Sequence, residues 1–144
     1  MIYLDTSALV KRLVAEPGSG LVRKLVEKES GVATAKIAYA EIYSGLTRKL
    51  RENQLARKDY DLACRQFERD WEAYIRVDLQ DEILMLSRGL IRSYSLRGFD
   101  AVHLGSAIYL ERMLGEPITF VAADKRLLHA ATKEGLSIVN PDPK

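Results

Sequence analysis

Met1-Ile2-Tyr3-Leu4-Asp5-Thr6-Ser7-Ala8-Leu9-Val10 is the stretch that opens the chain and decides its fold. Four apolar residues lead directly to an acid, and a helical pattern begins two residues later. We predict a short strand over residues 2–5 and a helix over residues 7–14. A strand followed at once by a helix is the beginning of a βαβ unit, which pairs its strands in parallel.

The rest of the chain repeats this alternation of short strands and helices. Further strands are predicted over residues 32–34, 75–78, 118–122 and 137–139. Helices are predicted over residues 19–29, with Ser19 as the cap, and over 36–51, 55–74, 80–94, 100–114 and 125–134. We therefore predict an α/β fold, a three-layer α/β/α sandwich with a parallel sheet, in which the helices of 36–51 and 55–74 form a protruding hairpin.

Composition limits the class of protein. The 144 residues are 47% hydrophobic and 29% charged, as in a soluble globular protein, and no linker divides them, so we predict a single domain over residues 1–144. The apolar runs are too short to cross a membrane, and no signal peptide is recognisable, which predicts a cytoplasmic protein without a membrane partner. The single cysteine, Cys64, excludes an internal disulfide and a cysteine-rich zinc site, and its place on an apolar helical stripe predicts a buried thiol.

Net charge is informative only in combination with the acids. The chain has 22 Lys and Arg against 20 Asp and Glu. If a metal neutralised a few of those acids, the remaining surface would be cationic, as expected for a protein with a polyanionic substrate.

Three aspartates lie at the starts of predicted helices. Asp5 and Asp124 each follow an apolar strand, and Asp100 precedes the almost wholly apolar helix of residues 100–114. Each could be an ordinary N-cap, because Asp is among the best capping residues. Ligands of parallel sheets, however, bind beyond the carboxyl ends of the strands at the topological switch point, and Asp5 and Asp124 occupy such ends.

Glu41 lies inside its predicted helix, where capping does not apply. Its neighbours one turn away, Ile37, Ala38 and Gly45, are apolar or small, and Gly45 leaves open space beside it. A carboxylate in such surroundings is normally paired, hydrogen-bonded or bound to a metal. We therefore expect Glu41 to line a cleft, with a salt bridge to Arg48 as the alternative.

Four segments resemble, in order, the motifs of PIN-domain nucleases, and most closely those of VapC-type toxins of toxin–antitoxin pairs. The segments are Leu4-Asp5-Thr6-Ser7-Ala8-Leu9-Val10, Tyr39-Ala40-Glu41-Ile42, Gly98-Phe99-Asp100-Ala101-Val102-His103-Leu104 and Val121-Ala122-Ala123-Asp124-Lys125-Arg126-Leu127-Leu128. Each segment is a weak signal alone. Their order and their spread over nearly the whole chain make the resemblance specific.

The resemblance implies a five-stranded sheet in the order 3-2-1-4-5 and an endoribonuclease that depends on Mg²⁺ or Mn²⁺. It implies that the catalytic and metal-binding acids are Asp5, Glu41, Asp100 and Asp124, and that Thr6 and Ser7 support the first of them. It also implies an antitoxin partner and, together with the aromatic hairpin, a homodimer. One position departs from the family: Ala122 stands where members often carry Thr or Ser.

Other residues near the acids have more ordinary interpretations. His103 follows Asp100 by one turn, and we interpret it as a structural histidine bonded to a helix cap rather than as a metal ligand. His129 is predicted to be a surface residue. Among the cations near the predicted cleft, Arg97 is the best candidate for an RNA contact, because its loop leads directly to Asp100. The others are Lys11, Arg12, Lys36, Arg48, Lys125 and Arg126.

Three functional hypotheses follow. The first is a metal-dependent endoribonuclease, either the toxin of a toxin–antitoxin pair or a free-standing PIN nuclease in RNA processing. The second is a phosphatase or phospho-acceptor domain, although Asp5-Thr6-Ser7 lacks the second Asp of the phosphatase Asp-x-Asp signature. The third is a binding module without catalysis, which the retention of all four acids makes less attractive.

Overall fold

A parallel sheet of five strands forms the centre of the protein in the computed structural model, which describes residues 1–142. The strands are β1 (Ile2–Leu4), β2 (Val32–Ala35), β3 (Ile75–Val77), β4 (Thr119–Val121) and β5 (Ser137–Val139). Their order is β3-β2-β1-β4-β5, as predicted. Tyr3 pairs with Ala33 on one side and with Phe120 on the other, so β1 lies in the middle of the sheet.

Seven helices of the described chain surround this sheet. They are α1 (Thr6–Leu13), α2 (Ser19–Lys28), α3 (Ile37–Arg51), α4 (Arg57–Ala73), α5 (Asp81–Tyr94), α6 (Gly98–Leu114) and α7 (Lys125–Lys133). None of the helices within residues 1–142 has both the length and the apolar character needed to cross a membrane. The predicted single domain also includes residues 143 and 144, which lie outside the described part.

Two hydrophobic clusters separate the layers. Buried residues of α5, α6 and α7 pack with Tyr3 and Phe120 in one cluster, whereas α1, α3 and α4 pack with Ile2 and Leu4 in the other. Because side chains alternate along a strand, neighbouring residues of β1 enter opposite clusters. The predicted α/β/α sandwich is thus confirmed, and its sheet is covered on both faces.

The predicted helical hairpin is formed by α3 and α4. Its inner surface is aromatic, with the rings of Tyr39, Tyr43, Phe67 and Trp71 at centroid distances between 5.1 and 5.9 Å. Cys64 on α4 is half-buried, so its thiol is less enclosed than predicted.

The predicted cap of α2 and the predicted start of α6 were wrong. The cap of α2 is Gly18, with φ of 93°, and a Cβ there would collide with the carbonyl of Pro141. Ser19 is instead the first helical residue, and its hydroxyl donates to the Val14 carbonyl and accepts from the Glu16 N–H. Helix α6 begins at Gly98, two residues earlier than predicted, which places Asp100 inside its first turn.

Candidate active site

Asp5 combines a capping role with deep burial at the switch point. Its Oδ1 accepts hydrogen bonds from the Ser7 hydroxyl at 2.6 Å and from the Ala8 N–H at 3.0 Å, so it caps α1. The residue is only 4% exposed. Burial raises the pKa of its carboxyl, and the charge of Asp100 adds to this, whereas His103, Ser7 and Ala8 oppose it.

Ser7 connects the ends of the two central strands. Its hydroxyl donates to Asp5 and accepts from the N–H of Ala123, 3.0 Å away in the segment after β4. Together with the hydrogen bond from the Asp5 N–H to the Val121 carbonyl, this side chain ties Asp5 to the segment that leads to Asp124.

Glu41 lines the cleft from α3, as expected from its apolar and small neighbours. Its Oε1 accepts from the Thr6 hydroxyl at 2.6 Å and lies 2.8 Å from Nε2 of His103. The side chain is 23% exposed. Burial acts to raise the pKa of Glu41, but the bonds from His103 and Thr6 outweigh it, so the pKa is lowered and the carboxylate is ionised at neutral pH.

His103 is a buried member of α6 that joins three side chains. Its Nε2 faces Glu41 and, at 3.0 Å, the Thr6 hydroxyl, while its Nδ1 lies 2.8 Å from the Tyr3 hydroxyl. An ionised carboxylate only accepts hydrogen bonds, which assigns a proton to Nε2. A structural histidine was predicted, but its partner is Glu41 rather than a helix cap.

Asp100 and Asp124 share an arginine. Nε of Arg97 donates to Oδ2 of Asp100 at 3.1 Å, and its Nη2 lies 3.8 Å from Oδ2 of Asp124. Oδ1 of Asp124 accepts from the Leu127 N–H and caps α7. Asp100 caps nothing, so the capping alternative applies to Asp5 and Asp124 but was wrong for Asp100.

Arg97 is the cation that the structure brings to the acids, although it is 81% exposed. Its pairing with Asp100 raises the pKa of the guanidinium. Three other cations suggested from the sequence pair elsewhere: Lys11 with Glu16, Arg12 with Asp70, and Lys36 with Asp78. His129, as predicted, is exposed.

The chemistry of the four acids is suited to binding a hard divalent cation. Both hydrogen bonds to Asp5 and both to Glu41 end on one carboxylate oxygen, and Asp100 and Asp124 likewise each accept a hydrogen bond on only one oxygen. Within residues 1–142, the second oxygen of each carboxylate accepts no hydrogen bond from the protein. Mg²⁺ prefers such oxygen ligands and needs only one or two carboxylates besides water and phosphate.

The arrangement is not a complete ligand cage. Across residues 1–142, no three His, Cys, Asp or Glu side chains are close enough together to hold one ion by themselves. A pocket of about 480 Å³ opens between Glu41 and the α6 N-terminus and is lined by Arg97, Gly98, Phe99 and Asp100. The structure thus offers single carboxylates around an open cleft, with Arg97 balancing two of them.

A larger pocket of about 580 Å³ lies elsewhere, between α1, α2 and α4. It contains none of the four acids, and Arg12, on its wall, is already paired with Asp70. The chemistry therefore points to the smaller cleft, which is lined by two of the acids, Glu41 and Asp100.

Comparison with known proteins agrees with this geometry. The PIN domain family matches residues 2–133 of the sequence. The chain belongs to the PIN-domain family. Ribonuclease VapC49 of Mycobacterium tuberculosis is 34% identical to this PIN domain over 129 residues, covering 90% of this chain and 87% of the relative. Ribonuclease VapC46 of the same species is 33% identical over 140 residues and covers 97% of both chains. The predicted resemblance to VapC is confirmed.

Solved structures share the fold of this PIN domain. The crystal structure of FitAcB from Neisseria gonorrhoeae superposes with a TM-score of 0.68 at 18% identity, covering 98% of both chains. The structure of VapBC2 from Rickettsia felis, bound to a DNA fragment from its promoter, gives 0.66 at 17% identity over 97% of this chain and 98% of that one.

Sequence reasoning missed two parts of the site. Tyr3 was read only as a strand residue, yet its hydroxyl fixes the imidazole that contacts Glu41. The pairing of Arg97 with Asp100 and Asp124 was also not predicted, and its contact with RNA stays a prediction. The signal for Tyr3 was a polar hydroxyl in the middle of an apolar strand, opposite a histidine of an apolar helix.

Proposed function

We propose that this PIN-domain protein is an endoribonuclease that requires Mg²⁺ or Mn²⁺ and serves as the toxin of a toxin–antitoxin pair. One observation carries the proposal: Glu41 and Asp100 line one open cleft, Arg97 joins Asp100 to Asp124, and Asp5 is close enough for the charge of Asp100 to raise its pKa. Each of these carboxylates keeps an oxygen free of hydrogen bonds from the described residues. The relatives named ribonuclease VapC support RNA as the substrate. The neighbours whose titles describe VapBC2 and other toxin–antitoxin assemblies support an antitoxin partner.

Asp5, Glu41, Asp100 and Asp124 are the residues proposed to hold the cation. When bound, the ion supplies a water of lowered pKa and neutralises charge at the scissile phosphate. Thr6 and His103 hold Glu41 in its ionised form, and Ser7 fixes the oxygen of Asp5 that is not needed for binding. No side chain is required as a nucleophile.

Arg97 has a second role in this proposal. In the absence of metal it balances the charges of Asp100 and Asp124. Since its guanidinium is exposed and held only at the cleft rim, it is free to turn to a phosphate of the RNA once the acids are neutralised. We also propose that the protein is cytoplasmic and that it forms a homodimer.

The test is incubation of the purified protein with several RNAs, with and without Mg²⁺ or Mn²⁺. Glu41→Gln and Asp100→Asn keep the shape of the acids and one acceptor oxygen, but they remove the charge and replace the second oxygen by an amide donor. We expect both variants to lose metal-dependent cleavage by at least about 100-fold while remaining folded.

Asp78→Asn is the matched control. Asp78 also follows a strand, β3, but is exposed and paired with Lys36. Its variant should cleave like the wild type. Full activity in folded Glu41→Gln and Asp100→Asn proteins would contradict the proposal, and a phosphorylated Asp5 would favour the phospho-acceptor class instead. Co-purification with a small protein encoded immediately upstream would distinguish a toxin from a free-standing PIN nuclease.

A further inference from the structure

A second pocket adjoins the acidic cleft and shares a wall with it. It has a volume of about 560 Å³ and lies between α1, α3 and the start of α6. Thr6 and Glu41 form its polar end. Its apolar walls consist of Val10, Ile37, Ala40 and Phe99. Its rim is cationic and consists of Arg48 and Lys49.

Phe99 is the residue that separates the two spaces. Its side chain is 60% exposed and belongs to neither hydrophobic cluster of the described chain. It lines both the acidic cleft and the apolar pocket, and Glu41 is the other residue common to both. Because most of this ring is exposed beside the acids, it has a face available to a ligand.

Gly45 keeps the pocket open. It lies in the middle of α3, where glycine is among the least favourable residues. A Cβ at this position would meet no atom within 4 Å, so no contact within residues 1–142 requires glycine there. The space that a side chain would fill is part of the pocket, whose lining includes Gly45.

We propose that this pocket receives one unpaired base of the RNA strand next to the scissile phosphate, stacked on Phe99. The proposal rests on the proposed ribonuclease function and extends it to a base subsite. A single-stranded nucleic acid binds best where an aromatic face lies beside cations that follow its backbone. Arg48 and Lys49 supply that charge, since neither forms an ion pair with a described acid.

The chemistry favours a base over a peptide segment. The pocket shares Glu41 and Phe99 with the acidic cleft, so an RNA strand with its scissile phosphate at the acids can place the adjoining base in the pocket. A nucleobase offers a flat apolar face to Phe99 and polar edges to Glu41 and Thr6. Its attached phosphates fall on the cationic rim.

The experiment measures binding of short fluorescent single-stranded RNAs in EDTA, where no cleavage occurs, and cleavage separately with Mg²⁺. Phe99→Ala should weaken binding roughly 5- to 150-fold, the range for loss of one stacked base, and Phe99→Trp should restore it. Gly45→Leu should fill the pocket and weaken binding in the same way. Gly89→Leu is its control, because Gly89 is also a mid-helix glycine with nothing near its missing Cβ and does not line the pocket.

RNAs with one abasic site, moved along the strand, identify the base concerned. At one position, removal of the base should weaken binding to the wild type but have no further effect on Phe99→Ala. If removal of the base weakened binding equally at every position, in the wild type and in Phe99→Ala alike, the proposed subsite would be wrong.

The outcomes separate the subsite from the nuclease proposal. If the wild type cleaves RNA with metal but Phe99→Ala and Gly45→Leu bind and cleave equally well, the subsite is wrong and the nuclease stands. If binding depends on Phe99 but no RNA is cleaved, the subsite stands and the nuclease proposal fails. Unchanged RNA binding with a changed oligomeric state would assign the pocket to a protein contact and overturn the subsite.

Discussion

Replacement of Asp5 by Asn should make the protein more stable while it abolishes activity. The carboxylate is buried, and its pKa is raised chiefly by loss of solvation and further by the charge of Asp100. A raised pKa in an acid means that the charged form is disfavoured in the folded state. Asn has the same shape and still accepts the bonds from Ser7 and Ala8 through Oδ1.

Two opposing effects set the magnitude. Loss of the charge weakens two charge-assisted hydrogen bonds, each by about 1 kcal/mol. It also removes the penalty for burying an ion, which amounts to several kcal/mol in proteins. Because the raised pKa shows that the second effect is larger, we expect a net gain of about 1 kcal/mol in the free energy of unfolding. For a chain of this size, that corresponds to a rise in Tm of about 3–5 °C.

Thermal unfolding in EDTA at pH 7, followed by circular dichroism, measures this gain. Asp124→Asn is the matched control, since Asp124 caps α7 in the same way but is substantially exposed, and it should show no gain. Addition of Mg²⁺ should then raise the Tm of the wild type more than that of Asp5→Asn, because a ligand that binds only the folded state stabilises it.

The pH dependence has a definite sign. Above the raised pKa of Asp5 the wild type carries the buried charge, so the advantage of the variant is complete. It should shrink as the pH falls and vanish below the ordinary value of 3.8, where Asp5 is protonated in both the folded and the unfolded chain. An Asp5→Asn protein that melts below the wild type in EDTA at pH 7 would refute the reasoning.

Three further changes give distinct results. Arg97→Ala removes the cation that competes with Mg²⁺ for Asp100. In a thermal-shift titration, the Mg²⁺ concentration for half-maximal stabilisation should therefore fall roughly 2- to 5-fold, and a rise would contradict this competition. Tyr3→Phe removes the hydroxyl that bonds Nδ1 of His103, so the free energy of unfolding should fall by about 1–3 kcal/mol. Urea denaturation measures this loss, and an unchanged midpoint would show that the hydrogen bond is dispensable. Gly105→Leu should lower the free energy of unfolding by about 1–3 kcal/mol, because a Cβ at this position would already lie 3.3 Å from the Ser87 hydroxyl. An equal or higher Tm would show that α5 and α6 can move apart without a loss of stability.

Local patterns were sufficient to predict the strands and their parallel pairing, whereas the order of the strands came from the resemblance to PIN-domain nucleases. Asp5 and Asp124 end apolar strands, and a parallel sheet brings such ends to one edge. Glu41 was recognisable because a carboxylate among Ile37, Ala38 and Gly45 has no solvated face. These inferences depend on neighbours within about one turn or one strand, which a sequence displays directly.

Contacts between distant residues could not be predicted in the same way. Tyr3 and His103 are 100 positions apart, and their hydrogen bond depends on how closely α6 packs on the sheet. The start of α6 at Gly98 was missed because Arg97, its cap, makes no side-chain capping bond. That shift by two residues decides whether Asp100 caps a helix or faces Arg97.

The hydrogen bond between Glu41 and His103 joins the two helical layers above the edge of the sheet, and this has a consequence for the timing of synthesis. A growing chain that ends before residue 100 has Asp5 and Glu41 but lacks the imidazole that fixes Glu41 and two of the four acids. The cleft therefore cannot assemble on a nascent or truncated chain, however well its first layer folds. Since the protein is proposed to cut RNA, the ribosome that makes it encounters an active enzyme only when translation of the chain is nearly complete.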